Sequence, residues 1–130
     1  QIGKKNAEKF LIQKNFILQY LNEIIDNGKV VMFGAGHQAS AFITFFSLEN
    51  YISFVVDDNP NKLGLFMPKS KIPIVSSKEL YNNKISICLL SMNPLHDEKV
   101  IFQLKKLENN GVQIKSIYPT SQYYFLNESI

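Results

Sequence analysis

Arginine is absent from all 130 residues, so the 14 basic side chains are lysines and the net charge is a mild +3. Recognition of nucleic acid leans on the bidentate guanidinium fork, and this composition argues against a nucleic-acid binder. Cysteine occurs once, at Cys88, which rules out an internal disulfide framework and any multi-cysteine metal site. Cys88 falls inside an apolar run and reads as a small buried hydrophobe. Apolar runs long enough to span a bilayer are missing, and the N-terminus lacks the ordered regions of a signal peptide, so a cytoplasmic protein is expected. Charge is sparse: 19% of residues are charged against 45% hydrophobic, and the apolar ones recur in periodic blocks, which argues against disorder. That much apolar material suits one packed core and is too little for two ordinary domains. The chain starts Gln1-Ile2-Gly3 rather than with Met, and is expected to be a piece of a larger enzyme.

What is present reads as alternating helices and strands. Residues from about Asn6 to Asn27 form an amphipathic helix, with Phe10, Ile17 and Ile24 in one row, Leu11, Leu18 and Ile25 in its neighbour, and Leu21 between. Gln13 and Lys14 fall on its polar side, and Asn27-Gly28 supplies the stop. Lys29 to Phe33 is a short strand, followed by Gly34-Ala35-Gly36 and a helix with Ala39, Phe42, Ile43 and Phe46 on one face. Tyr51 to Val56 is a second strand, closed by the turn cluster Asp57-Asp58-Asn59-Pro60. Strand, glycine turn, helix and strand within about thirty residues make a βαβ unit with parallel strands.

Beyond a lysine-bearing loop at 61–71, Ile72-Pro73-Ile74-Val75 reads as a strand whose proline suggests an edge. Ser76 and Glu79 fit a capping box for a short helix ending near Tyr81. Ile85 to Leu90 is continuously apolar, as a strand covered on both faces would be. Asn93-Pro94 caps another helix, with Asp97 and Glu98 near its positive end and Val100, Ile101, Leu104 and Leu107 as its buried stripe. Val112 to Tyr118 is a last strand, and the aromatic tail Tyr123-Tyr124-Phe125 is expected to dock on the surface. The predicted fold is α/β, a Rossmann-like doubly wound and mostly parallel sheet of about five strands with helices on both faces. One domain covers 1–130, with the leading helix at 6–27, the core at 29–118 and a tail at 119–130.

In such sheets ligands bind outside the carboxyl ends of the strands, where the strand order reverses. The Gly34 turn, the Asp57 to Pro60 turn and Ser91-Met92-Asn93 all fall at that end. Gly34-Ala35-Gly36-His37-Gln38-Ala39 has the G-x-G-x-x-A spacing, in which glycine lets backbone amides approach a phosphate at a helix N-terminus. Asp57 follows a little over twenty residues later, where a ribose-binding carboxylate would sit, although a turn-former reading serves it equally. His37 lies in the first helical turn, either beside a ligand or simply solvated, and His96 reads as surface. Lys62, Lys69 and Lys71 could offer point charges to a diphosphate, or could be solvated loop lysines. No residues are spaced as a metal site, and no complete catalytic apparatus is visible.

The ordered set of these motifs resembles the C-terminal domain of the S-adenosylmethionine-dependent sugar C-methyltransferases. The matching stretches are Gly28 to Ala35, Ile52 to Asp57 with Asn59-Pro60-Asn61-Lys62-Leu63-Gly64, Phe66-Met67-Pro68 with Ile72-Pro73-Ile74, and Ser91-Met92-Asn93 with Asp97-Glu98. The resemblance covers nearly the whole chain. It implies a parent enzyme in which a cysteine-bearing zinc domain comes first, a central domain binds the methyl donor, and this domain helps hold a nucleotide-sugar. The domain alone is then expected to bind no cofactor and to lack activity. The candidate nucleotide-sugar contacts are Gly34, Ala35, Gly36, His37, Gln38, Asp57, Asn59, Lys62, Ser91 and Asn93. Three departures stand out: the family has Lys-Gly at Gln38-Ala39, glycine at Lys69 and tryptophan at Met92.

Other readings stay open at this level. The glycine turn and the Asp-Asp-Asn-Pro turn are also similar to the N-terminal sugar-nucleotide module of an acyltransferase or a sugar dehydratase. An NAD-binding regulatory or oxidoreductase domain shares the fingerprint, and an interaction domain could keep the fold without a ligand.

Overall fold

Six consecutive residues, Ile85–Leu90, are all buried, and as strand β4 they lie near the middle of the structure. A computed structural model describes residues 2–127. Side chains alternate across a strand, so a continuously apolar run needs cover on both faces. Ile87 and Leu89 meet one core and Cys88 and Leu90 the other. Strand β1 (Lys29–Phe33) divides the same way, with Val30 and Met32 on the first side and Val31 on the second.

The remaining strands are β2 (Ile52–Val56), β3 (Ile74–Val75) and β5 (Gln113–Ser116). All pairings are parallel, in the order β3-β2-β1-β4-β5. This is the Rossmann-like doubly wound sheet that the sequence predicts. The two-residue β3 lies at the edge, as Pro73 suggests. From β1 the chain winds outward through β2 to β3, then returns to the opposite side of β1 for β4 and β5. The order therefore reverses between β1 and β4.

Helices α1 (Ile2–Ile24) and α2 (His37–Phe45) cover one face, placing Ile17, Leu21, Ala39 and Ile43 against it. The short α3 (Glu79–Asn82), α4 (Asp97–Gln103) and α5 (Lys105–Asn109) cover the other through Leu80, Val100, Leu104 and Leu107. Burial pushes the Cys88 thiol up to about 12, so it stays a neutral core group. Among the described residues, no helix is long and apolar enough to cross a membrane.

Several local expectations are corrected. Only one row of α1 is core: Leu11 and Ile25 of the second row are exposed, Leu18 alone packs, and Gln13 and Lys14 are half-buried. A single helix meeting a sheet buries a narrow stripe, which the first row fills. The capping box does not form, because α3 starts at Glu79 with Lys78 before it and no side-chain cap. The neighbouring Ser77 instead donates its amide and hydroxyl to the Asp58 carboxylate, at 2.9 and 2.8 Å. The helix after Asn93 comes in pieces: a 3₁₀ turn at Pro94–His96, then α4, then α5 beyond Leu104. The buried stripe survives the break, and Asn93 does cap, its Oδ1 accepting the Leu95 amide at 3.0 Å.

The tail differs most from expectation. Phe125 is 1% exposed and sits in the core beside Tyr20 and Phe42, not on the surface. The Ser116 amide donates to Tyr123 O at 2.8 Å and the Phe125 amide to Ser116 O at 2.9 Å, so the tail covers the edge of β5. Asp97 is buried at the start of α4, and its Oδ2 accepts from the Ser121 hydroxyl at 2.6 Å, tying the tail to that helix.

Candidate functional site

The reversal of strand order leaves a crevice of about 450 Å³ at the carboxyl ends of β1 and β4. Its floor is the glycine turn. Gly34 has φ +104, a left-handed value that favours glycine, and a Cβ there would lie 2.9 Å from Ser91 Oγ. Three side chains from distant segments hold the turn. The Ala35 amide donates to Asp57 Oδ2 at 3.0 Å, while Lys62 Nζ donates to Ala35 O at 2.9 Å. The Ser91 hydroxyl lies between two carbonyls, Phe33 O at 2.9 Å and Gly34 O at 2.8 Å. The other Asp57 oxygen accepts the Asn59 amide at 2.9 Å.

The lip has no such bracing. Gly36 is the N-cap of α2 and has no side chain with which to cap it. The first-turn amides of His37 and Gln38 have no hydrogen-bond partner among the described residues, and both side chains are exposed. A Cβ on Gly36 would meet nothing within 4 Å, and its φ of −98° suits any residue. Bare amides at a helix N-terminus, opening onto a cleft, can hold an anion.

The fold gathers Gly34, Ala35, Gly36, His37, Gln38, Asp57, Lys62, Ser91 and Asn93 around this one crevice. Asn59 does not line it; its side chain accepts the Asn61 amide at 3.0 Å and shapes the loop instead. Asn93 lines it with its oxygen already engaged as a cap. His96 is exposed and stands outside the crevice. Of the loop lysines, Lys69 lines a neighbouring cleft and Lys71 lines neither. Lys69 has φ +64, which accounts for the glycine that the family resemblance puts there.

Sequence reasoning missed Tyr118. Its hydroxyl donates to Ser91 O at 2.8 Å, and its ring lines the crevice. Partial burial raises its pKa, with the Asp97 carboxylate adding to the effect, so the phenol stays a donor. The available signal was its place just beyond the carboxyl end of β5, at the ligand end of the sheet. Also missed was the outward side of α2, where Ser40, Thr44 and Phe45 border a second cleft of about 590 Å³. Phe45 lies outside the buried stripe of its helix and is 60% exposed, an oddity visible in the periodicity alone. Among the described residues, no group of three or more His, Cys, Asp or Glu could hold a metal ion.

Among solved structures, the chain is similar to UDP-D-quinovosamine 4-dehydrogenase from Vibrio fischeri, with 22% identity and a TM-score of 0.54 over 78% of this chain and 85% of that one. It is also similar to RSP, a Rex-family repressor, with 20% identity and a TM-score of 0.55 over 72% of this chain and 46% of that one. The chain thus spans less than half of the repressor, and at these identities the likeness is one of fold. No curated protein matches in sequence. The family profile described as the C-methyltransferase C-terminal domain matches residues 4–119, nearly the whole length. This chain belongs to the C-methyltransferase C-terminal domain family.

Proposed function

We propose that this domain binds the nucleotide-sugar substrate of an S-adenosylmethionine-dependent sugar C-methyltransferase, and that methyl transfer is carried out by preceding domains of a longer, cytoplasmic parent chain. One observation carries the reading. The first-turn amides of α2 stand bare above a turn in which the amides and carbonyls of Gly34 and Ala35 are already satisfied. A rigid floor beneath an open donor pair is what a diphosphate needs, since little ordering remains to be done on binding. His37 and Gln38 flank that position, and Tyr118, Asn93 and Ser91 line the side where a sugar would lie. The dehydrogenase of similar fold is named for a UDP-sugar substrate, which agrees with the reading without carrying it.

The same residues do not fit the adenosine ribose of a methyl donor or of NAD. That ribose is ordinarily met by the acidic residue after the second strand. Here both oxygens of Asp57 already accept main-chain amides, and the Asp58 carboxylate is bound to Ser77. The methyl donor is therefore assigned to another domain of the parent.

Calorimetry and thermal shift with UDP-sugars, dTDP-sugars, S-adenosylmethionine and NAD test this. A nucleotide-sugar is expected to bind and to raise the unfolding midpoint, with NAD and S-adenosylmethionine inert. A response to NAD with sugar nucleotides silent would overturn the reading.

A further inference from the structure

We propose that the cleft along the outer side of α2 receives the nucleoside end of the ligand, with Phe45 as its stacking surface and Lys69 as a counter-charge for the phosphates. This rests on the nucleotide-sugar reading and gives it a direction: base along α2, sugar in the crevice.

The two cavities share Ala35, Gly36, His37 and Lys62, so one extended ligand can occupy both. Beyond His37 the outer cleft runs past Ser40 and Thr44 to Phe45, with Pro68 and Lys69 on its far wall. From His37 to Phe45 the helix rises about 12 Å at 1.5 Å per residue, comparable to the reach of a nucleotide from its phosphates to its base. The cavities differ in chemistry. The crevice offers the Tyr118 hydroxyl oxygen as an acceptor and the Asn93 side-chain NH2 as a donor, which suit a sugar. The outer cleft offers Ala41, Pro68 and the Phe45 ring, which suit a flat aromatic base, with the Ser40 and Thr44 hydroxyls for its edge.

Phe45 is 60% exposed yet held in place. Its ring makes edge contacts with Phe10 at 4.7 Å and Phe46 at 4.9 Å, so most of its surface is open while its orientation is set. A fixed, exposed aromatic is a ready platform for stacking.

Lys69 adds a charge to the wall of this cleft. Its φ of +64 lies in the left-handed region, which disfavours a lysine and suits glycine. It is exposed and makes no hydrogen bond or ion pair among the described residues, so its charge is uncommitted. It lines the cleft with Lys62, and among the described residues no carboxylate does, so the local charge complements a diphosphate.

The test compares equilibrium binding of UDP, dTDP, UDP-glucose and inorganic pyrophosphate to the chain and to Phe45→Ala, Lys69→Gly and Gly36→Ala. Loss of stacking on Phe45→Ala is expected to weaken UDP and dTDP about tenfold to a hundredfold, with pyrophosphate unaffected. Lys69→Gly is expected to weaken pyrophosphate and the nucleotides alike, while the unfolding midpoint holds or rises because glycine accepts the left-handed backbone. UDP binding to Phe45→Ala as tightly as to the parent chain would overturn the proposal. If UDP-glucose then still weakens on Gly36→Ala, the crevice reading survives without this base site. If a folded chain binds none of the four probes, both fall together.

Discussion

The floor and the lip of the crevice lie next to each other in the chain and are built on opposite terms. At the floor, Gly34 is held open by its own φ, by Ser91 on one side and by Asp57 and Lys62 on the next residue. At the lip, Gly36 has the same residue type, an ordinary φ and empty space around it. The comparison separates two uses of glycine that a G-x-G pattern cannot distinguish. Gly34 is a requirement of the fold, whereas Gly36 leaves open space at the edge of the crevice. By the same division, Asp57, Lys62 and Ser91 act chiefly by making the turn rigid, whereas His37 and Gln38 remain available.

Substitutions can break this division. Gly34→Ala should have the largest effect, destabilising by about 2–3 kcal/mol through its left-handed φ and the collision with Ser91 Oγ. Urea unfolding measures it, and Ser91→Ala in the same chain should recover part of the loss, since the two share one contact. Asp57→Asn comes next, costing about 1–2 kcal/mol because one charge-assisted acceptor for the Ala35 or Asn59 amide is lost. A binding loss with undiminished stability would instead make Asp57 a direct ligand contact. Gly36→Ala should change stability least, within about 0.5 kcal/mol, while its methyl group in the crevice weakens nucleotide-sugar binding. If Gly36→Ala unfolds the chain as readily as Gly34→Ala, the contrast between floor and lip is wrong.

A second contrast, between the strands and the tail, bears on what could be read in advance. The strands were legible because their signals are local. Ile85–Leu90 has no polar residue except Ser86, the glycine turn follows β1 directly, and Pro73 marks an edge. The tail was not legible because Phe125 has no periodic partners; its burial depends on Tyr20 and Phe42, which come from α1 and α2. The capping box failed for a related reason, since Asp58 reaches Ser77 from 19 residues away and no local pattern records it.

The candidate site divides along the same line. That Gly34, Asp57 and Ser91 belong to one end of the sheet followed from the alternation of strand and helix. Which of them hold the turn and which face outward depended on hydrogen bonds between residues 22 to 58 positions apart. Tyr118 and Phe45 came to notice only once β5 and α2 were in place around the cavities.

The amino-acid sequence by itself determined the parallel doubly wound sheet and the position of the glycine turn at its carboxyl end. Those follow from short-range periodicity and from turn chemistry. Only the tertiary structure decided that the turn is locked from beneath by Asp57, Lys62 and Ser91, that the α2 amides stand open above it, and that the tail closes the far edge. Those outcomes depend on which distant groups satisfy one another's hydrogen bonds, a competition settled only when the whole chain has folded.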